Sequence, residues 1–166
     1  MFNLKPIDPQ AVPKALEKAE RYRLLNEPEE AESICLDVLA VEPDNQSALI
    51  TLLLALTDQF RTGAPDCFAR AKGLLPQLRG EYERHYYAGI VCERRGSAQL
   101  DRAGLGSGAA AHGWLQQAME WYEQAEAVRP PHNDDSILRW NTCARIIIKH
   151  DLRPSQAETF EPVMQE

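Results

Sequence analysis

The stretch AMEWYEQAEAVRP, residues 118–130, decides how this chain of 166 residues is expected to fold. Small residues stand at Ala118 and Ala125, an aromatic residue stands between them at Tyr122, and Pro130 follows. The spacing of four and three places the first three on one face of a helix. Pro130 ends that helix, because proline has no backbone N–H to donate. The pattern therefore predicts a helix with one closely packed face.

Six other stretches carry the same kind of helical periodicity. Apolar residues recur in them at three- and four-residue spacing, and prolines or short polar turns separate them. Strand signals are nearly absent, since no sustained alternation and no Asn-Gly or Asp-Gly turn occurs. The sequence therefore predicts an all-α fold of about seven helices joined as antiparallel hairpins. The predicted helices cover about residues 13–25, a stretch from an Asn26 cap to Glu42, 45–60, 67–78, a stretch from about 81, 113–128 and 133–149.

The order of small and large residues in the opening stretch occurs a second time, at Ala31, Cys35, Val38 and Pro43. Both stretches resemble the second half of the tetratricopeptide repeat, a helix-turn-helix unit of about 34 residues. The resemblance implies a right-handed superhelical array of three hairpins and a closing helix over residues 13–149. Flanking this domain, we expect an N-terminal arm and a polar C-terminal tail, at residues 1–12 and 150–166.

The repeat register requires an insert in the third hairpin. Pro43 and Pro130 lie 87 residues apart, which is two periods of about 34 residues and 19 residues more. Two of these fit a loop at 61–66, and the other 17 fit residues 97–113. The glycine-rich part of the insert, GLGSGA at 104–109, follows no strand, so a phosphate loop is disfavoured. We expect a flexible insert, with its first turns extending the fifth helix, that folds over or beside the binding groove.

The resemblance also implies a binding groove. In such arrays the first helix of every hairpin lines a concave face. An apolar centre with a charged rim suits an extended or helical segment of a protein partner. The alternative for Ile50, Leu54 and Ile90 is that they pack between hairpins. The residues expected to line the groove are Leu16, Glu20, Arg23, Ile50, Leu54, Asp58, Tyr86, Ile90, Arg94, Ile137, Asn141 and Arg145.

One tetratricopeptide subtype binds the terminal carboxylate of a peptide through Lys and Asn side chains. The matching positions here hold Leu16, Glu20 and Thr51, so that clamp is missing. The leading interpretation is a non-enzymatic protein–protein interaction scaffold. The alternative is a small secretion-type tetratricopeptide chaperone, since such chaperones are of similar length and shield an export substrate.

A third class, an enzyme or a metal- or cofactor-binding accessory protein, depends on the insert and on the polar turn at 132–135. Helix capping by Asn133 or Asp134 explains that turn more simply, because acids and Asn side chains favour a helix N-terminus. We therefore expect no catalytic residue, no metal and no cofactor.

Charge and hydropathy narrow the class of partner. A net charge of −7 argues against nucleic acid, because binding phosphates requires clustered Lys and Arg. The most apolar run, residues 48–56, is too short to cross a membrane. No secretory signal begins the chain, so a cytoplasmic protein is expected. A homodimer is left open.

Four cysteines complete the set of candidate reactive residues, at Cys35, Cys67, Cys92 and Cys143. No two of them form a C-x-x-C pair, and their spacing does not predict a zinc site. The repeat register places all four at buried positions, so we expect them to be chemically inert.

Overall fold

The computed structural model describes residues 2–102 and 104–155. Within these ranges the chain forms seven α-helices, three short 3-10 turns and no β-strand, so the predicted all-α fold is confirmed. The helices are α1 (Val12–Leu24), α2 (Pro28–Val41), α3 (Gln46–Asp58), α4 (Cys67–Leu74), α5 (Glu81–Asp101), α6 (Ser107–Ala127) and α7 (Asp135–Lys149).

The turn between α1 and α2 differs from its prediction. Asn26 has a positive φ of 59° and lies just beyond α1, where the N–H of Glu27 donates to the carbonyl of Tyr22 at 2.9 Å. This is the hydrogen-bond pattern of a Schellman C-terminal cap. The prediction that Asn26 caps the second helix is therefore wrong. Instead, Pro28 opens α2, a position where its missing N–H costs no hydrogen bond.

The packed core extends beyond both ends of the predicted domain, residues 13–149. Val12 is the first residue of α1 and is buried, with Ile7 of the predicted arm packed against it. At the other end, Leu152 of the predicted tail is buried among side chains of α5, α6 and α7. The predicted tail beyond residue 155 lies outside the described residues.

Consecutive helices pack as antiparallel neighbours, most extensively α5 against α6. The pairing of these two helices is fixed by glycines that face large side chains. A Cβ at Gly89 would lie 2.4 Å from the ring of Tyr122, and one at Gly96 would lie 3.0 Å from Leu115. Large side chains therefore occupy the space that glycine leaves, and the two helix axes approach closely.

The odd-numbered helices run side by side in the same direction. Arg23 and Asp58 pair at the C-terminal ends of α1 and α3. Between α5 and α7, the Tyr82 hydroxyl meets Asn133 at 3.3 Å, and Arg139 donates to Glu93 at 3.1 Å. Contacts of α1 with α3, and of α3 with α5, complete the row.

Buried side chains form two main clusters, one around α2, α3 and α4 and the other around α5, α6 and α7. Leu54 and Tyr87 pack against both clusters and so join them. Small residues occupy the closest helix contacts, because short side chains let helix backbones approach. The fully buried alanines include Ala19, Ala31, Ala48, Ala55, Ala71, Ala111, Ala118 and Ala125.

A buried polar network ties α7 to the α5–α6 hairpin. Glu93 is 4% exposed and accepts hydrogen bonds from the Tyr122 hydroxyl at 2.6 Å and from Arg139 at 3.1 Å. A carboxylate buried this deeply requires partners on both oxygens, and these two side chains supply them. Burial, and after it the Glu93 carboxylate, raise the pKa of Tyr122 well above its usual range, so the phenol stays protonated and donates.

The insert expected at residues 97–113 is mostly helical, so its predicted flexibility is wrong for most of its length. The fifth helix extends into the insert as expected, since α5 continues through Asp101, and α6 begins at Ser107. Ala111 and Leu115 of α6 are fully buried, the latter against Gly96 of α5. The burial of Ala111 and Leu115 stabilises the first turns of α6, where the local sequence predicts a glycine-rich linker.

Replacement of Gly89 by alanine tests the close approach of α5 and α6. The new Cβ would clash with the Tyr122 ring, so Gly89→Ala is expected to lower the free energy of unfolding by about 2–3 kcal/mol. Gly113→Ala is the matched control in α6, where nothing lies within 4 Å of the new Cβ. It is expected to raise the free energy of unfolding by about 0.5–1 kcal/mol, since alanine favours helix. Urea unfolding measures both; equal effects would contradict the packing.

Candidate functional site

Three predicted groove residues meet in one charged row across α1, α3 and α5. Arg23 Nε lies 2.8 Å from Asp58 Oδ2, and Arg94 Nη1 lies 3.8 Å from Asp58 Oδ1. The three side chains are 20%, 19% and 35% exposed, respectively. Asp58 therefore bridges two arginines from neighbouring helices, and its carboxylate remains partly accessible to solvent.

A cleft of about 210 Å³ surrounds this row. Arg61, in the 3-10 turn after α3, adds a third arginine, and Leu24 adds an apolar side chain that is 89% exposed. The cleft thus combines positive charge with an exposed apolar edge. Its lining residues are Arg23, Leu24, Asn26, Thr57, Asp58, Arg61 and Arg94.

A second cleft, of about 260 Å³, adjoins the first, since Arg61 lines both. Arg61 Nε pairs there with Asp101 Oδ2 at 2.8 Å. The far wall comes from the C-terminal end of α7, at Ile146 and His150. Ser97, Leu100 and Asp101 of the predicted insert also line this cleft. The two clefts together, called the odd-helix face below, draw side chains from α1, α3, α5 and α7.

Of the apolar residues predicted at the centre of the groove, Ile90 is buried, while Leu54 and Tyr86 are half-buried. Ile90 is 2% exposed and belongs to the cluster between α5, α6 and α7, so its side chain does not reach the surface. Leu54 packs against both main clusters, and Tyr86 packs against the rings of Tyr82, Tyr87 and Tyr122. Packing between helices, the alternative for Ile50, Leu54 and Ile90, holds for Ile90, whereas Leu54 packs between helices and stays partly exposed.

The remaining predicted residues are dispersed. Leu16 packs against the small cluster around Val12 and Val38, while Glu20 is exposed. Ile50 is half-buried. On α7, Ile137 and Asn141 are half-buried and Arg145 is exposed, and none of the three lines either cleft.

Sequence reasoning missed several residues of the odd-helix face. Arg61 lies in a stretch interpreted as a loop, and His150 lies at the start of the predicted polar tail. The signal that could have found Arg61 is its place one turn after Asp58, at the end of a helix predicted to line the groove. The contribution of α7 through Ile146 and His150 depends on helix packing and has no local signature.

The polar turn at 132–135 supplies a hydrogen bond to the first backbone N–H of α7. Asn133 Oδ1 accepts a hydrogen bond from the backbone N–H of Asp135 at 3.0 Å, and Asp134 pairs with Arg129 at 2.8 Å. Among residues 2–102 and 104–155, no group of three or more His, Cys, Asp and Glu side chains could hold a metal ion.

All four cysteines are buried as free thiols. Burial raises the pKa of Cys35 to about 12, of Cys92 to about 11 and of Cys143 to about 12, and it also raises the pKa of Cys67. Thiolate is the reactive form of cysteine, so these thiols are poor nucleophiles and poor metal ligands.

The chain was compared with protein families, curated proteins and solved structures. No family model, no curated protein and no solved structure matches it. None of the helices described here is long and apolar enough to cross a membrane.

The raised cysteine pKa values predict that alkali destabilises the fold. In the unfolded chain a thiol titrates near pH 8.5, whereas the folded protein holds the proton to about pH 11–12. The stabilisation is complete below about pH 8.5 and is lost as the pH rises through the folded values. Cys143→Ala should remove up to about 1.4 kcal/mol per pH unit of this slope between pH 9.5 and 11.

Urea unfolding of the two proteins at several pH values measures these slopes. Equal slopes for the wild type and Cys143→Ala would contradict the assignment of Cys143 as a buried, protonated thiol.

Proposed function

We propose that this chain is a non-enzymatic interaction module that binds a segment of a protein partner along the odd-helix face. The observation that carries the proposal is that two adjoining clefts draw side chains from α1, α3, α5 and α7 into one surface. Neighbouring helices lie about 8–10 Å apart, so four of them span roughly 27 Å. An extended peptide of about eight residues has that length.

The chemistry of the odd-helix face supports a peptide ligand. Half-buried charged groups at Arg23, Asp58 and Arg94 adjoin the exposed side chain of Leu24. Apolar anchors beside polar, partly hydrated groups are typical of protein-binding surfaces. The inert state of the buried cysteines gives no support to an enzyme built on a thiol nucleophile.

We also propose the superhelical tetratricopeptide arrangement for these helices. The alternation of antiparallel neighbours with a parallel row of odd-numbered helices supports it. The buried Ala118, Tyr122 and Ala125 support it as well, because the repeat requires small and aromatic residues there.

A cytoplasmic location is part of this proposal, and four free thiols are typical of proteins from reducing compartments. The alternative, a secretion-type chaperone, would use the same face, and no contact in the described residues favours it over a general scaffold.

A random 12-residue peptide library displayed on phage tests the proposed function. Peptides selected on the wild-type protein are expected to bind Leu24→Ser roughly tenfold more weakly, because the contact of an apolar side chain with the first cleft is lost. Fluorescence anisotropy with labelled synthetic peptides measures the affinities.

Leu138→Ser is the matched control, since Leu138 is 61% exposed on α7 and lines neither cleft. Both variants replace an exposed leucine and should leave the circular dichroism spectrum unchanged. The proposal is wrong if selection yields no binding peptide, or if Leu138→Ser weakens binding as much as Leu24→Ser.

A further inference from the structure

The charge inside the first cleft is opposite to that of the whole chain. Three arginines line it with a single aspartate, while the protein carries a net charge of −7. A cleft with walls of low dielectric constant concentrates the field of the charges inside it. The first cleft therefore attracts anionic groups, although the protein as a whole is acidic.

Two of these arginines have local structural roles. Arg23 lies in the last turn of α1, and Arg61 follows the end of α3; cations at such places interact favourably with the helix dipole. Each also has a carboxylate at 2.8 Å, Asp58 for Arg23 and Asp101 for Arg61. The pair formed by Arg61 is exposed, with side chains 63% and 50% accessible, so it exchanges easily for another partner.

Arg94 has no comparable local role. It lies about two turns before the end of α5, too far from the C-terminus for the helix dipole to stabilise its charge. Within the described ranges, its carboxylate contact is Asp58 at 3.8 Å, which is longer than a hydrogen bond. A guanidinium group offers five N–H donors in a planar fork that matches a carboxylate. Arg94 thus presents unused donors to the cleft.

We propose that the first cleft binds a carboxylate side chain, Asp or Glu, of the partner segment, with Arg94 as the principal donor and Arg61 beside it. This inference rests on the proposed function and specifies its ligand. The exposed Leu24 at the edge of the cleft adds a preference for an apolar residue next to the acidic one.

The surroundings favour a peptide carboxylate over the phosphates of a nucleic acid. A neighbouring cleft shares Asn26 and Asp58 with the first one, and it contains Glu27, Glu29 and Glu30. A chain of regularly spaced phosphates would meet these carboxylates, whereas a single acidic side chain would not. The site therefore accepts one negative charge and repels a run of them.

Neutralising Asp58 tests the proposal, because the change should affect the binding of anions and of cations in opposite directions. Asp58 competes with the ligand for Arg94, so its neutralisation strengthens the binding of an anion and weakens the binding of a cation. Asp58→Asn keeps an oxygen that accepts from Arg23 Nε, which preserves the contact between α1 and α3.

The experiment uses the tightest peptide from the phage library, synthesised with an amidated C-terminus so that side chains are its only carboxylates. A second peptide carries Asn and Gln in place of Asp and Glu. We expect the acidic peptide to bind Arg94→Gln roughly tenfold more weakly and Asp58→Asn about threefold more tightly than wild type. The neutral peptide should bind weakly and equally to all three proteins.

Arg79→Gln is the matched control, because Arg79 forms an ion pair of similar length, 3.9 Å to Asp44, before the start of α5. It should bind the acidic peptide within twofold of wild type. Thermal unfolding of each variant, with Arg94→Lys as a second replacement that keeps the charge, separates loss of binding from loss of folding. Arg94→Lys should retain part of the affinity.

Three outcomes would overturn the inference while leaving the proposed function intact. The first is a set of selected peptides without enrichment of Asp and Glu. The second is weaker binding of the acidic peptide to Asp58→Asn. The third is full displacement of the peptide by millimolar inorganic phosphate at constant ionic strength, which would assign the cleft to phosphate.

Discussion

The close contact of Tyr122 with Gly89, and the hydrogen bond of its hydroxyl to buried Glu93, determine how the second half of the protein assembles. The contact sets the separation of α5 and α6, and Arg139 then binds the same carboxylate from α7. Glu93 must face inward to meet both partners. The next residue, Arg94, is rotated by about 100° around the helix, and its guanidinium lies 3.8 Å from Asp58 of α3. The buried network therefore also directs Arg94 toward the first cleft.

The row formed by Arg23, Asp58 and Arg94 contributes little to stability by itself. Ion pairs that are partly exposed to solvent are worth about 0–1 kcal/mol each. The two main hydrophobic clusters hold the odd-numbered helices in place, with Leu54 and Tyr87 packed against both clusters. Because packing fixes the helices, the charged side chains above it are free to exchange partners. This division of roles suits a binding surface better than a structural lock.

The sequence predicted the seven helices because the spacing of apolar and small residues is a local property. Ala118, Tyr122 and Ala125 are all fully buried, as their spacing indicated. The early start of α6 at Ser107 could not be predicted in the same way, since the glycines of the insert favour a loop when they are considered without their neighbours. The burial of Ala111 and Leu115 against α5 outweighs that preference, and it depends on residues more than ten positions away.

For the candidate site, the sequence by itself determined which face of α1, α3 and α5 carries Arg23, Asp58 and Arg94, because helical periodicity places residues on faces. Only the tertiary structure decided that these three charges meet, that Ile90 is buried instead of exposed, and that Arg61 and the end of α7 complete the surface. The physical reason is that the lateral position and rotation of each helix result from packing against its neighbours. A helix can be recognised from its own residues, but a cleft between helices belongs to none of them alone.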